Sequence, residues 1–224
     1  MSATLTLGCN TYQLNPPATP VTACYDSMGW SVSSTNGGTI TQLTVNAIQD
    51  PAQQVTFKSN VDALTANFGS GVNGDGTDRL IFQGTVGRSL ISTGSGLPLA
   101  GDEVRFNSSV TQTTLNTSIR NDTIVFANST TNGTTINAFA GSDSIQFTSS
   151  ARVGPATVIN LGIDSVADTI SVAAKSTFAG SGIVINNFKV GQDVILAGTS
   201  ATPTTIRNQA EANAFFGSGV TLNS

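Results

Sequence analysis

Histidine is absent from this chain of 224 residues, and with it the commonest general base and the commonest metal ligand. Charge is scarce. Asp, Glu, Lys and Arg make up 10% of the residues, against roughly 25% in an ordinary globular protein. With 9 Lys and Arg and a net charge of -4, few cations are present to displace counterions from phosphates, which excludes nucleic acid as the expected partner. No run approaches the roughly 18 apolar residues of a membrane-spanning helix. The opening Met1-Ser-Ala-Thr-Leu-Thr-Leu-Gly8 lacks both a basic stretch and a long apolar run. Neither a Sec-type signal peptide nor membrane insertion is therefore expected.

The signatures of familiar chemistry are missing too. No nucleophile elbow, phosphate-binding loop or C-x-x-C motif occurs. Arg79, Arg88, Arg105, Arg120, Arg152, Lys175 and Lys189 read as lone solvated charges. Adjacent acids such as Asp102 and Glu103 point to opposite faces of a strand, which makes them a poor acid/base pair. The expectation is that the chain is not an enzyme. The 2 cysteines, Cys9 and Cys24, flank a segment containing Pro16, Pro17 and Pro20. They either close that loop as a disulfide, stabilising by about 3 kcal/mol in an oxidising setting, or pack as two small free thiols.

What the chain does have is a repeat. The segments Asp78-Arg-Leu80-Ile-Phe82, Asp102-Glu-Val104-Arg-Phe106, Asp122-Thr-Ile124-Val-Phe126, Asp143-Ser-Ile145-Gln-Phe147, Asp168-Thr-Ile170-Ser-Val172 and Asp193-Val-Ile195-Leu-Ala197 share one pattern. Subtraction of successive Asp numbers gives intervals of 24, 20, 21, 25 and 25 residues. An interval of this size marks a stacked repeat architecture, and apolar residues two and four places after each Asp have the period of a strand. One short strand cannot bury its face alone, so the turns must stack. The expected fold is all-β, a parallel β-solenoid (β-helix or β-roll) of 20–25-residue turns.

A second element precedes each Asp strand: Thr114-Leu-Asn116, Thr135-Ile-Asn137, Val158-Ile-Asn160 and Val184-Ile-Asn186. Each turn thus reads as two short strands, joined by a tight bend and a longer return loop. Aligned Asn116, Asn137, Asn160 and Asn186 are placed to hydrogen-bond along the stack. Residues 1–38 do not fit the repeat and read as an irregular N-terminal cap, holding the only tryptophan, Trp30, and both tyrosines, Tyr12 and Tyr25. The solenoid is expected over 39–204. Residues 205–224 form a C-terminal cap, with a short helix ending at Gly217 and a final strand Val220–Leu222.

Stacked turns lie about 4.8 Å apart, where two carboxylates repel by roughly 1 kcal/mol even in water. The Asp column needs relief. Either each carboxylate accepts N–H groups of its own turn, with Asp102, Asp122 and Asp168 as structural rungs, or calcium sits between turns. Gly74-Asp75-Gly76-Thr77-Asp78-Arg79-Leu80, Gly141-Ser-Asp143-Ser-Ile145 and Gly191-Gln-Asp193-Val-Ile195 resemble the G-G-x-G-x-D-x-U-x nonapeptide of RTX (repeats-in-toxin, haemolysin-type) proteins. Ala100, Arg120 and Val166 stand where that pattern has glycine, and no copy has its paired leading glycines. The resemblance implies a calcium-binding β-roll, with Asp75, Asp78, Asp143 and Asp193 as ligands, and export without N-terminal cleavage. The degenerate repeats are also similar in texture to those of bacterial and cyanobacterial extracellular surface-layer proteins.

The functional expectation is a non-enzymatic, self-assembling structural subunit of an extracellular filament or surface layer. Copies would meet head to tail through the caps, using Tyr12, Tyr25, Trp30, Phe215 and Phe216, because a non-closing contact makes a filament. Two alternatives stand beside it. One is a phage virion decoration or fibre protein on a capsid surface. The other is a secreted carbohydrate-binding or adhesive module presenting Trp30, Tyr12 and Tyr25 to a glycan.

Overall fold

The computed structural model describes residues 3–7, 21–26, 29–34, 37–47, 54–68, 78–94, 101–174, 178, 182–198 and 203–224. They form a parallel β-solenoid. Among the described residues three sheets run along its length, of nine, six and ten strands. The ten-stranded sheet holds the Asp strands, from Arg79–Phe82 through Glu103–Phe106, Thr123–Phe126, Ser144–Phe147 and Thr169–Val172 to Val194–Ala197. The nine-stranded sheet holds the Asn strands, Thr114–Asn116, Thr135–Asn137, Val158–Asn160 and Ile183–Asn186 among them.

The third sheet is a correction to the two-strand turn. What reads as a return loop carries a strand of two or three residues in most turns: Ile40–Thr41, Val61–Asp62, Val86–Gly87, Val110–Thr111, Thr130–Asn132 and Arg152–Val153. Each places one side chain inside, Ile40, Val61, Val86, Val110, Thr131 and Val153 in order. The corner that follows is left-handed. Gln42, Ala63, Arg88, Gln112, Gly133 and Ala156 all have φ between 45° and 58°, and N–H groups of this corner bond to carbonyls of the next turn, as from Gln112 to Asn132 at 2.8 Å.

Register, not local propensity, makes the core. Leu80, Val104, Ile124, Ile145, Ile170 and Ile195 pair in one row. Phe57, Phe82, Phe106, Phe126 and Phe147 pair in the next, their rings stacked at centroid distances of 4.8, 5.1, 5.2 and 4.9 Å. Ile91, Leu115, Ile136, Ile159 and Ile185 face them from the Asn sheet. Phe147 is the last ring of the parallel stack; Phe178 meets it edge-on at 5.4 Å and in turn touches Phe216 at 5.1 Å.

At the N-terminal end the sheets extend into the segment before residue 39. Ala3–Leu7 pairs in parallel with Leu43–Ala47, and Gly29–Ser34 pairs in parallel with Gln54–Phe57. The strand Val21–Asp26 folds back antiparallel on Gly29–Ser34. At the other end Thr204–Ile206 crosses antiparallel beside Val194–Ala197, and helix α1 (Gln209–Phe216) follows, N-capped by the Asn208 side chain. The strand Val220–Leu222 then closes the Asn sheet beside Ile183–Asn186.

Candidate functional site: stacked polar ladders

Each Asp stands just before its strand. The N–H of Asp193 donates to the Lys189 carbonyl of its own turn at 2.9 Å, and the other five find a partner elsewhere. The neighbouring turn supplies it. The N–H of Asp78 donates to Oδ1 of Asp102 at 3.1 Å, that of Asp102 to Asp122 at 2.6 Å, and that of Asp122 to Asp143 at 2.7 Å. The series continues from Asp143 to Asp168 at 2.8 Å and from Asp168 to Asp193 at 3.0 Å. The main chain returns the contact: the N–H of Thr123 donates to the carbonyl of Asp102, and that of Ser144 to Asp122. A carboxylate thus takes the place of a strand carbonyl and lengthens the parallel ladder by one bond per turn. This corrects the own-turn expectation. Only a second contact is local, from the N–H of Ser118 to Asp122 Oδ2 at 2.8 Å and from Lys189 to Asp193 Oδ2 at 2.7 Å.

The column is buried. Asp102, Asp122, Asp143, Asp168 and Asp193 each expose 4% or less of their surface. Removal from water disfavours the charged form. Burial pushes Asp102 up to about 7, Asp143 to about 8 and Asp168 to about 6, and raises Asp122. The N–H bonds oppose this, while neighbouring carboxylates, Asp164 among them, add to it at Asp143 and Asp168. Oδ2 of Asp143 is buried without a hydrogen-bond partner, a site where a neutral carboxyl is favoured over an anion.

These residues do not fit a calcium cage. Calcium takes six to eight oxygen ligands. Here Oδ1 of Asp143 and of Asp193 is already occupied by a backbone N–H. Among the described residues no three His, Cys, Asp or Glu side chains gather to hold a metal. Asp78 lies at the start of the column, partly exposed, and Asp75 lies outside the described residues. N–H donors from the neighbouring turn ease the crowding of the carboxyls, and the raised values of Asp102, Asp122, Asp143 and Asp168 act in the same direction.

A second ladder runs along the outside of the Asn sheet. Nδ2 of Asn137 donates to Oδ1 of Asn116 at 2.6 Å, Asn160 to Asn137 at 2.6 Å, and Asn186 to Asn160 at 2.7 Å. All four asparagines named from the sequence belong to it. Strand register places Ser92, Asn67 and Asn46 at the equivalent positions of earlier turns. Asn223 adds the last rung, donating to Asn186 at 2.8 Å. Its signal was the run Val220-Thr-Leu222-Asn223, which matches Ile183-Val-Ile185-Asn186 position for position.

In the sequence Gln209 reads only as a helix former. Its Oε1 accepts from the N–H of Leu222 at 2.6 Å and its Nε2 donates to the carbonyl of Val220 at 2.9 Å. One side-chain amide therefore occupies the outer edge of the last Asn-sheet strand as a further strand would. Edges left open are templates for another chain; this one is closed from within.

Of the residues expected at contacts between copies, Phe216 is 5% exposed and belongs to the core, a correction to its expected role, because its ring is needed to cover Phe178. Phe215 and Trp30 are partly buried and pack against the core rim. Cys9 and Tyr12 lie outside the described residues, and Cys24 and Tyr25 are described only as backbone of the strand Val21–Asp26. No described helix is long and apolar enough to cross a membrane. Comparison with protein-family models, with curated proteins and with solved structures finds no match to this chain.

Proposed function

We propose that the chain is a structural protein and not a catalyst: a stiff β-solenoid subunit of an extracellular filament or surface layer. One observation carries the reading. The polar chemistry of the repeat is consumed in ladders that bind turn to turn, the Asp column within and the Asn column outside. Groups so engaged hold a scaffold together. The low charge of the chain, 10%, also limits repulsion between packed copies.

The Gln209 bonds bear on how copies join. A head-to-tail filament built by adding a strand at the C-terminal end has to displace an amide that already pairs with Val220 and Leu222. Contact at that end falls instead to the face of α1 and to Phe215, and the sides of the rod become the larger surface for association.

Negative-stain electron microscopy of the purified chain, with sedimentation velocity over the micromolar range, tests the proposal. Ordered arrays or concentration-dependent oligomers are expected. Discrete monomers at every concentration would sink it. For calcium the expected result is an unchanged melting temperature with and without EGTA; a drop on chelation would restore the ion to the Asp column.

A further inference from the structure

Large apolar side chains left exposed on a protein surface mark contact sites when they gather on one side. Among the described residues there are six, Leu90, Ile119, Phe139, Ile163, Val166 and Val190. All six lie on one flank. Leu90 faces outward from the Asn sheet, between the rows of Thr65 and Thr114. The other five occupy the corner between the Asn ladder and the Asp column, on successive turns. Ile119, Phe139 and Ile163 line one shallow groove there, with Asn137 and Asn160 of the ladder as its wall. Ile163 is 91% exposed.

Charge avoids the strands of the Asn sheet. None of the nine strands of the Asn sheet contains Asp, Glu, Lys or Arg. The Asp sheet carries Arg79, Glu103 and Arg105 in its strands, and the short sheet Asp62 and Arg152. Three charges, Arg120, Asp164 and Lys189, stand in the same corner beside Ile119, Ile163 and Val190; Lys189 Nζ and the Asp164 carboxylate are engaged with the main chain.

Phe139 adds an independent sign. Its φ is 46°, the left-handed region that an aromatic side chain rarely adopts and that Asn or Gly fills with less strain. The ring gains little from the core in return, being 48% exposed. Backbone strain of this kind gathers where a surface has a task.

From these observations we propose that the Asn-sheet flank, with its apolar corner, is where a second copy of this chain docks side by side; the inference rests on the structural reading above and names its contact. A second copy suits this face in three ways. A rod presents side chains at one fixed spacing, about 4.8 Å per turn, and only a partner with the same rise matches it rung for rung. The strand-bearing part of the face has no charged residue and meets its own copy without like-charge repulsion. The Asn ladder fixes the amides beforehand, so little side-chain freedom is lost on contact.

The test compares the intact chain with Ile163→Asp, Phe139→Asn and, on the outward face of the Asp sheet, Ser171→Asp. Sedimentation velocity reads association, and far-UV circular dichroism with melting reads the fold. Ile163→Asp is expected to weaken association at least tenfold with an unchanged spectrum, because its side chain contributes nothing to the core. Phe139→Asn is expected to raise the melting temperature of the dilute chain by relieving the left-handed phenylalanine while weakening association, a pair of opposite signs that a purely structural role does not give. Ser171→Asp is expected to leave association unchanged. Association as tight in Ile163→Asp as in the parent chain overturns the proposed flank while the structural reading survives. A parent chain that stays monomeric overturns both.

Discussion

Phe126→Ala is expected to destabilise the solenoid by about 3–5 kcal/mol, the range for deleting a buried aromatic side chain. Phe126 has no exposed surface and stacks between Phe106 at 5.2 Å and Phe147 at 4.9 Å. Its removal leaves a cavity that the neighbouring rings cannot fill, since each is fixed in its own turn by strand pairing on both sides. In a stacked repeat, stability is close to a sum of turn and interface terms. A gap at the centre therefore weakens the coupling between the two halves. Calorimetry is expected to show the melting temperature lowered by roughly 10 °C or more, with the transition broadened or split. Phe57→Ala, near the N-terminal end of the stack, should leave a single transition. A loss below about 1 kcal/mol at Phe126 would mean that the ring column is not the core of the rod.

Raising the pH from about 4 to about 8 is expected to destabilise the protein. Four carboxyls of the column have folded-state values raised above the ordinary 3.8, to about 7 for Asp102, about 8 for Asp143 and about 6 for Asp168, with Asp122 raised as well. Between the ordinary and the raised values the folded chain holds protons that the unfolded chain has released, so stability falls as pH rises. Their contribution is full below about pH 4 and is lost by about pH 8. A carboxyl whose folded and unfolded pKa values differ by one changes stability by about 1.4 kcal/mol across that window. Even with strong coupling among neighbours the column is expected to forfeit at least about 3 kcal/mol, or roughly 10 °C in melting temperature. Asp143→Asn keeps an oxygen to accept the Asp122 N–H but carries no charge, so it should flatten this dependence. A melting temperature that rises steadily from pH 4 to about pH 8 would show the column to be ionised and stabilised in some other way.

The turn-to-turn logic of the fold was legible because it is written in side chains with a fixed period. Apolar residues two and four places after each Asp, and an Asn closing each preceding strand, are the inward and outward marks of a stacked strand, and both columns are present as read. The helix near the C-terminus was legible as well, from Gln, Ala and Glu ahead of Gly217; it spans Gln209–Phe216. The third sheet was not. A strand such as Val110–Thr111 offers one inward residue, too few to show alternation. Its corner is turned by Gln42, Ala63, Arg88 and Gln112 at positive φ, where a glycine would have announced the bend.

The repeat itself is a property of the chain: which side chains face inward, which column is acidic, and that the turns stack in parallel. Which partner each group finds is a property of the assembled rod. The Asp carboxylate accepts from the neighbouring turn and not its own, Gln209 closes a strand edge 11 and 13 residues away, and the exposed aliphatic residues fall on one flank. The reason is geometric. Periodicity along a chain fixes direction within a turn, but a partner one turn away is fixed by the stacking register, which depends on the length of every corner between them.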